Sequence, residues 1–170
     1  MATLTFNIEP NDLLQMLGFN KPFYDAVRSF VHSINPKIKV RISHDEFYAE
    51  CGNNLINICI GRNGMEDEIF DDFIQRKFGI SVNPFLMGIL HEVAHIMTFD
   101  EQIDHERSIL YYMLQLNFKE ERWKEYSDMY FQIPCEFIAT EWAVNYYLTH
   151  KEHCENFLKE IGMEKGECQE

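Results

Sequence analysis

The residues most able to do chemistry sit in one short run, His91-Glu92-Val93-Ala94-His95. The histidines stand four positions apart, about 400° of helical rotation, so on a helix both imidazoles leave the same face and can converge on one cation. Glu92 lies too close to the backbone line of the pair to ligate comfortably, yet it is well placed to touch a water on such a cation. The surroundings sharpen the requirement. Phe85, Leu86, Met87, Ile89, Leu90, Val93, Ala94, Ile96, Met97 and Phe99 cover nearly the whole circumference, as in a helix buried in a core. A buried charge or an unpaired imidazole is costly there, so three polar groups on one turn need a shared explanation, and a bound metal supplies one.

The run is an HExxH pattern, in which two histidines bind zinc and the glutamate serves as general base. A catalytic zinc takes three protein ligands and keeps one position for water, so a third ligand must come from elsewhere. Just downstream, Glu101 and His105 are available, but the glycine that would permit a sharp turn back is absent; Thr98 stands at that place. The pattern favours Glu136. It falls in the first turn of a second helix opened by Pro134, and Ala139 and Ala143 share its face as a small-residue stripe that lets two helices approach closely. As an isolated residue Glu136 would be a carboxylate favoured by a helix N-terminus. Glu141 is the rival; about 140° further round the same helix, it should point away if Glu136 points in.

The elements that must hold these groups can also be read. Asn83-Pro84 gives the HExxH helix an N-cap followed by proline at its first position. Helices are expected over 22–34, 67–77, 84–98, 105–116, 119–131 and 134–150, with the charged stretch 151–170 frayed. Strands are expected over 37–42, 46–51 and 55–60, the last two joined as an antiparallel hairpin through Gly52-Asn53-Asn54. Lys37, Lys39 and Arg41 alternate with Ile38, Val40 and Ile42, as on a strand with one wet face. The order is α+β: a small, meander-like, three-stranded, mainly antiparallel sheet packed by the HExxH helix and several further helices. With no internal repeat and no linker composition, residues 1–170 are expected to form one domain.

HExxH, followed some forty residues later by Glu136-Phe137-Ile138-Ala139-Thr140-Glu141-Trp142-Ala143, resembles the ImmA/IrrE-type bacterial and phage metallopeptidases. In these the third ligand opens a helix in a Glu-x-x-Ala-Asn-x-Phe-Ala context. The resemblance covers residues 84 to about 147; Thr140 and Trp142 stand where Asn and Phe are usual, the spacer is long, and no helix-turn-helix precedes the domain. It implies a minimal zincin-like domain with zinc held by His91, His95 and Glu136, and with Glu92 catalytic.

The chemistry expected of such a site is peptide-bond hydrolysis through a metal-activated water, with Glu92 as general base and a protein or peptide as substrate. Tyr126, Tyr130 and Tyr146 lie near Glu136 in sequence as candidate oxyanion donors. The alternative is a noncatalytic helical interaction module of a mobile element, in which zinc merely holds helices together and Glu92 is not needed. A regulatory protein partner is compatible with either. Composition narrows the rest. Twenty-eight acidic against fifteen basic residues, a formal charge of −13, disfavour direct nucleic-acid binding and anionic membrane surfaces. Residues 1–10 lack a basic region leading into an apolar core, and a cytoplasmic location is expected. Five cysteines without a CxxC pair point to reduced thiols, and His32, His44, His150 and His153 have no ligand spacing.

Overall fold

A computed structural model describes residues 21–43, 47–60, 65–99, 110, 113 and 123–163. The expected α+β order is present. Helix α1 (Lys21–Ile34) precedes strands β1 (Lys39–Ser43), β2 (Tyr48–Glu50) and β3 (Leu55–Cys59). There follow α2 (Met65–Phe78), α3 (Pro84–Met97), α4 (Trp123–Phe131), α5 (Pro134–Thr149) and α6 (Lys151–Glu160). The segment expected as a helix over 105–116 lies outside the described residues, apart from Leu110 and Met113, which are helical. No helix among the described residues is long and apolar enough to cross a membrane.

The sheet departs from the expected meander. Its order is β1-β3-β2, with β2 antiparallel to β3 and β1 parallel to it. The β2–β3 hairpin is where the turn residues placed it; a short 3-10 turn (Cys51–Asn53) ends on Asn54 in the left-handed region, φ 49°, which asparagine tolerates. Burial explains why β1 is not beside β2. In β3 the run Ile56 to Cys59 is buried, so this strand takes the centre. The strands bearing Lys39, Arg41 and Glu50 take the edges, where charge is tolerated and blocks further pairing. The register sets Val40 and Ala49 on either side of Ile56, and Ile42 beside Ile58, on one apolar face. Lys39 and Arg41 are exposed on the other face, as the alternation required.

That apolar face needs a cover, and α3 lies against both β2 and β3. The start of α3 is as signposted: the Asn83 side chain accepts a hydrogen bond from the Leu86 amide at 3.2 Å, and Pro84 follows it. Along its middle, Leu86 to His95 are buried save Gly88, while Met97 and Phe99 emerge to 43% and 42% exposure. Gly88 is the point of closest approach to the strands. A Cβ there would lie 3.1 to 3.3 Å from atoms of the Phe47 ring, which enters β2.

The charged stretch after residue 150 does not fray as a whole. Residues 151–160 form α6, because Cys154, Phe157 and Leu158 recur at helical spacing and are buried. Phe157 stacks on Phe30 of α1 with centroids 4.2 Å apart. Burial pushes the Cys154 thiol up to about 12, reinforced by the nearby charge of Glu155. Two outcomes follow. Phe157→Ala is expected to lower unfolding free energy by about 3–5 kcal/mol in urea titrations. At pH 8 the native Cys154 should resist iodoacetamide and react only in denaturant, since the thiolate is the nucleophile. A folded value above the unfolded one also means that this thiol's contribution to stability is complete below about pH 8.5 and declines as the pH rises towards 12.

Candidate metal centre

Helix α3 packs chiefly against α5, and the two carry the chemistry-bearing residues to one place. Proline opens α5 just before Glu136, whose carboxylate sits in the first turn where the helix dipole favours negative charge. Ala139 and Ala143 are fully buried, so their face can come close to α3. Glu136 is thereby carried across to the histidines.

The convergence is tight. His91 Nε2 lies 3.0 Å from Glu136 Oε2 and 3.1 Å from His95 Nε2, and His95 Nε2 lies 3.4 Å from the same carboxylate oxygen. All three residues are buried, Glu136 completely. Burial alone would push the Glu136 carboxyl up, but hydrogen bonds and charge from His91 and His95 outweigh it and hold the group well below its usual range. The stabilisation so gained is complete above the unfolded value near 4.5 and is lost as the pH falls through the depressed folded value.

These residues fit a divalent metal. Two imidazole nitrogens and a carboxylate oxygen form a mixed donor set common to first-row cations. Four tetrahedral donors at bond lengths of about 2.0–2.1 Å stand about 3.3–3.4 Å from one another. Of the observed separations, 3.4 Å equals that edge, while 3.0 and 3.1 Å fall slightly below it, so a small outward shift of His91 would seat an ion among the three donors. Among the described residues, this is the one group of three or more histidine, cysteine or acidic side chains that could hold an ion, and it offers three donors rather than four.

The surroundings are built from both helices and from the aromatic residues beside them. Phe70 of α2 meets the His91 ring edge-on at 5.1 Å, Phe131 of α4 approaches it at 6.5 Å, and the two phenylalanines stack on each other at 4.8 Å. They close one flank of His91 with apolar surface. On the other side, the Cys51 thiol donates to the His95 carbonyl at 3.5 Å, tying the strand hairpin to the last turn of α3. Thr140, one turn beyond Glu136 on α5, is completely buried, and its Oγ1 lies 3.2 Å from His91 Nδ1. The sequence marked Thr140 only as a departure from asparagine; its i+4 relation to Glu136 is the signal that places it on the same face.

Other candidates fare differently. Glu92 is buried on α3 beside the cluster. Glu141 is exposed, as its angle on α5 required. Glu101 and His105 lie outside the described residues. Tyr146 is sandwiched between Trp142 and His150, at 5.2 and 4.2 Å, and sits ten residues along α5 from Glu136, about 15 Å at the helical rise. It is not brought to the cluster. Tyr130 packs edge-on against Phe131, and the Tyr126 side chain is outside the description. His32 and His153 are used elsewhere, the first against the Ile38 carbonyl and the second stacked on Phe30; His44 lies outside the described residues.

Compared with models of known families, with curated proteins and with solved structures, the chain finds no match. The cluster must therefore be judged on its own geometry.

Calorimetric titration of chelated protein with a divalent transition-metal cation is expected to saturate at one ion per chain. Alanine at His91, His95 or Glu136 should each weaken binding by more than the roughly 10–100-fold typical of outer-sphere partners. Affinity should fall as the pH drops, because the donors must be deprotonated to bind.

Proposed function

We propose that this chain is a zinc-dependent metallopeptidase of minimal zincin-like build, with His91, His95 and Glu136 as metal ligands and Glu92 as general base. The observation that carries the reading is the meeting of three buried donor atoms within 3.4 Å of one another, with a second acidic group, Glu92, one residue from the first histidine. Three donors rather than four among the described residues favour an open, catalytic site over a closed, structural one. The resemblance to ImmA/IrrE-type metallopeptidases points the same way through the same residues.

When bound, zinc would supply Lewis acidity towards a water and towards the carbonyl of a scissile peptide bond. The protein's own part is to hold the reactants and move a proton. The Glu92 carboxylate takes a proton from the attacking water as its oxygen bonds to the carbonyl carbon. It then gives that proton to the amine as the C–N bond breaks. Glu136 would balance part of the metal's charge, while two neutral imidazoles would leave it enough acidity to act. Phe70 and Phe131 exclude water from one flank of His91, which strengthens electrostatic interactions inside. The chain's overall charge of −13 would attract basic stretches of a substrate.

The test compares wild type with Glu92→Gln after removal of metal and reloading with zinc, using casein and a peptide library. Wild type is expected to cleave. Glu92→Gln should retain its zinc and lose about 10²- to 10⁴-fold in rate. A wild type that binds zinc through a fourth protein ligand and cleaves nothing would instead make the cluster a structural clasp, as in a noncatalytic helical module.

A further inference from the structure

Charge is distributed unevenly along this acidic chain. Residues 21–43 carry five basic side chains, Lys21, Arg28, Lys37, Lys39 and Arg41, against one acid, Asp25, while the other 147 residues carry ten against twenty-seven. A segment of formal charge +4 is thus set in a remainder of −17. All five basic residues are exposed, and among the described residues no carboxylate forms an ion pair with any of them. The fold gathers the charge at one edge of the sheet. Lys39 and Arg41 share the outer face of β1, the edge strand on the far side of β3 from β2. Lys37 lies just before that strand. Arg28 is drawn to the same edge from α1: it donates to the Tyr24 hydroxyl, which in turn donates to the Val40 carbonyl at 3.2 Å.

We propose that this edge is a docking surface for an acidic, extended segment of a partner protein. Two positions along a strand span about 6.6–6.8 Å, so Lys39 and Arg41 repeat at the spacing of carboxylates on alternate residues of an extended peptide. Arg41 is already steadied for such a contact. One of its N–H groups donates to the Tyr48 hydroxyl at 3.0 Å across the central strand, and the rest of the planar fork suits a carboxylate. The contact is made by side chains. Lys39 N–H and Ser43 C=O bond towards β3 and its flanks, while the carbonyls of Ile38 and Val40, on the other side of the strand, accept from His32 at 2.9 Å and from Tyr24. A second copy of the chain does not suit this edge, because two antiparallel β1 strands would set like charges opposite one another. Charge complementarity also selects a narrow ligand. With screening over about 8 Å at physiological salt, a slim acidic segment meets the basic edge alone, whereas a nucleic acid or a bilayer would extend over the acidic remainder.

The surface needs no metal, so its test is a binding measurement on the full chain that stands whatever the outcome at the metal centre. Fluorescence anisotropy follows a labelled peptide alternating glutamate and threonine at about 0.05 and 0.15 M salt, with oligothymidylate and phosphatidylserine vesicles as competitors. Wild type is compared with Lys39→Gln/Arg41→Gln, with Lys37→Gln/Lys39→Gln, and with Lys151→Gln, an exposed cation on α6. Melting curves check folding; the Lys37/Lys39 variant keeps the bond between Arg41 and Tyr48 and decides the matter should the other melt early. Wild type is expected to bind the peptide, more weakly at the higher salt. Each double variant should lose about 3- to 30-fold in affinity, as for two exposed ion pairs, and Lys151→Gln should match wild type. Oligothymidylate and vesicles should compete poorly. The proposal is overturned if wild type does not bind the peptide at low salt, if folded double variants bind as wild type does, if Lys151→Gln loses as much, or if the oligonucleotide or the vesicles bind more tightly than the peptide.

Discussion

Three lone-pair-bearing atoms brought within 3.4 Å of one another, away from water, are the constraint on which the rest of the protein turns. Left to themselves, two imidazole nitrogens and a carboxylate oxygen repel unless a proton or a cation lies among them. Hydration cannot relieve that repulsion where Glu136 has no exposed surface. The fold must therefore force the approach and supply positive charge. Much of its architecture serves the first requirement. Alanines at 139 and 143 remove bulk between α3 and α5, the Thr140 hydroxyl bridges them, and apolar rings at 70 and 131 hold His91 from the side.

The sheet is the base of this arrangement. Its buried face receives α3, and Gly88 lets the Phe47 ring lie against that helix one turn before His91 and Glu92. A helix held at its start by the Asn83 cap, along its length by the strands and α5, and at its last turn by Cys51 has little freedom to rotate. Rotation of α3 about its axis would separate the histidines from Glu136, so rigidity of α3 and geometry of the donors are the same property. Arg76 joins Asp72 and Asp128 on exposed surface, where such pairs add little stability; they link α2 to α4, the two helices that supply the aromatic flank.

Much of this was legible in the sequence where the signal was local. The Asn83-Pro84 start, the apolar surround of His91 and His95, the Pro134 start and the alanine stripe beside Glu136 are features of single helices, and the helical period converts them directly into faces. The exclusion of Glu141 came from the same arithmetic. What was not legible depended on pairings between distant segments. β1 was expected in a meander, yet it runs parallel to β3, because the choice of neighbour depends on which strand is buried on both faces. The helix at 151–160 was hidden by its charged residues, which outnumber the three positions that bury it against α1 and its neighbours. Thr140 carried no functional signal alone; only the arrival of His91 Nδ1 from another helix gives its hydroxyl a role.

The donors' order along the chain has a consequence for biosynthesis. His91 and His95 leave the ribosome some forty residues before Glu136, an interval of about 2–8 seconds at 5–20 residues per second. During that interval a nascent chain offers an ion two nitrogens and no carboxylate clamp. Because α5 carries both Glu136 and the Thr140 hydroxyl that touches His91, the three-donor cluster comes together in one docking event rather than by gradual accretion. A half-made polypeptide thus has no buried three-donor cluster until the helix that completes it has been synthesised.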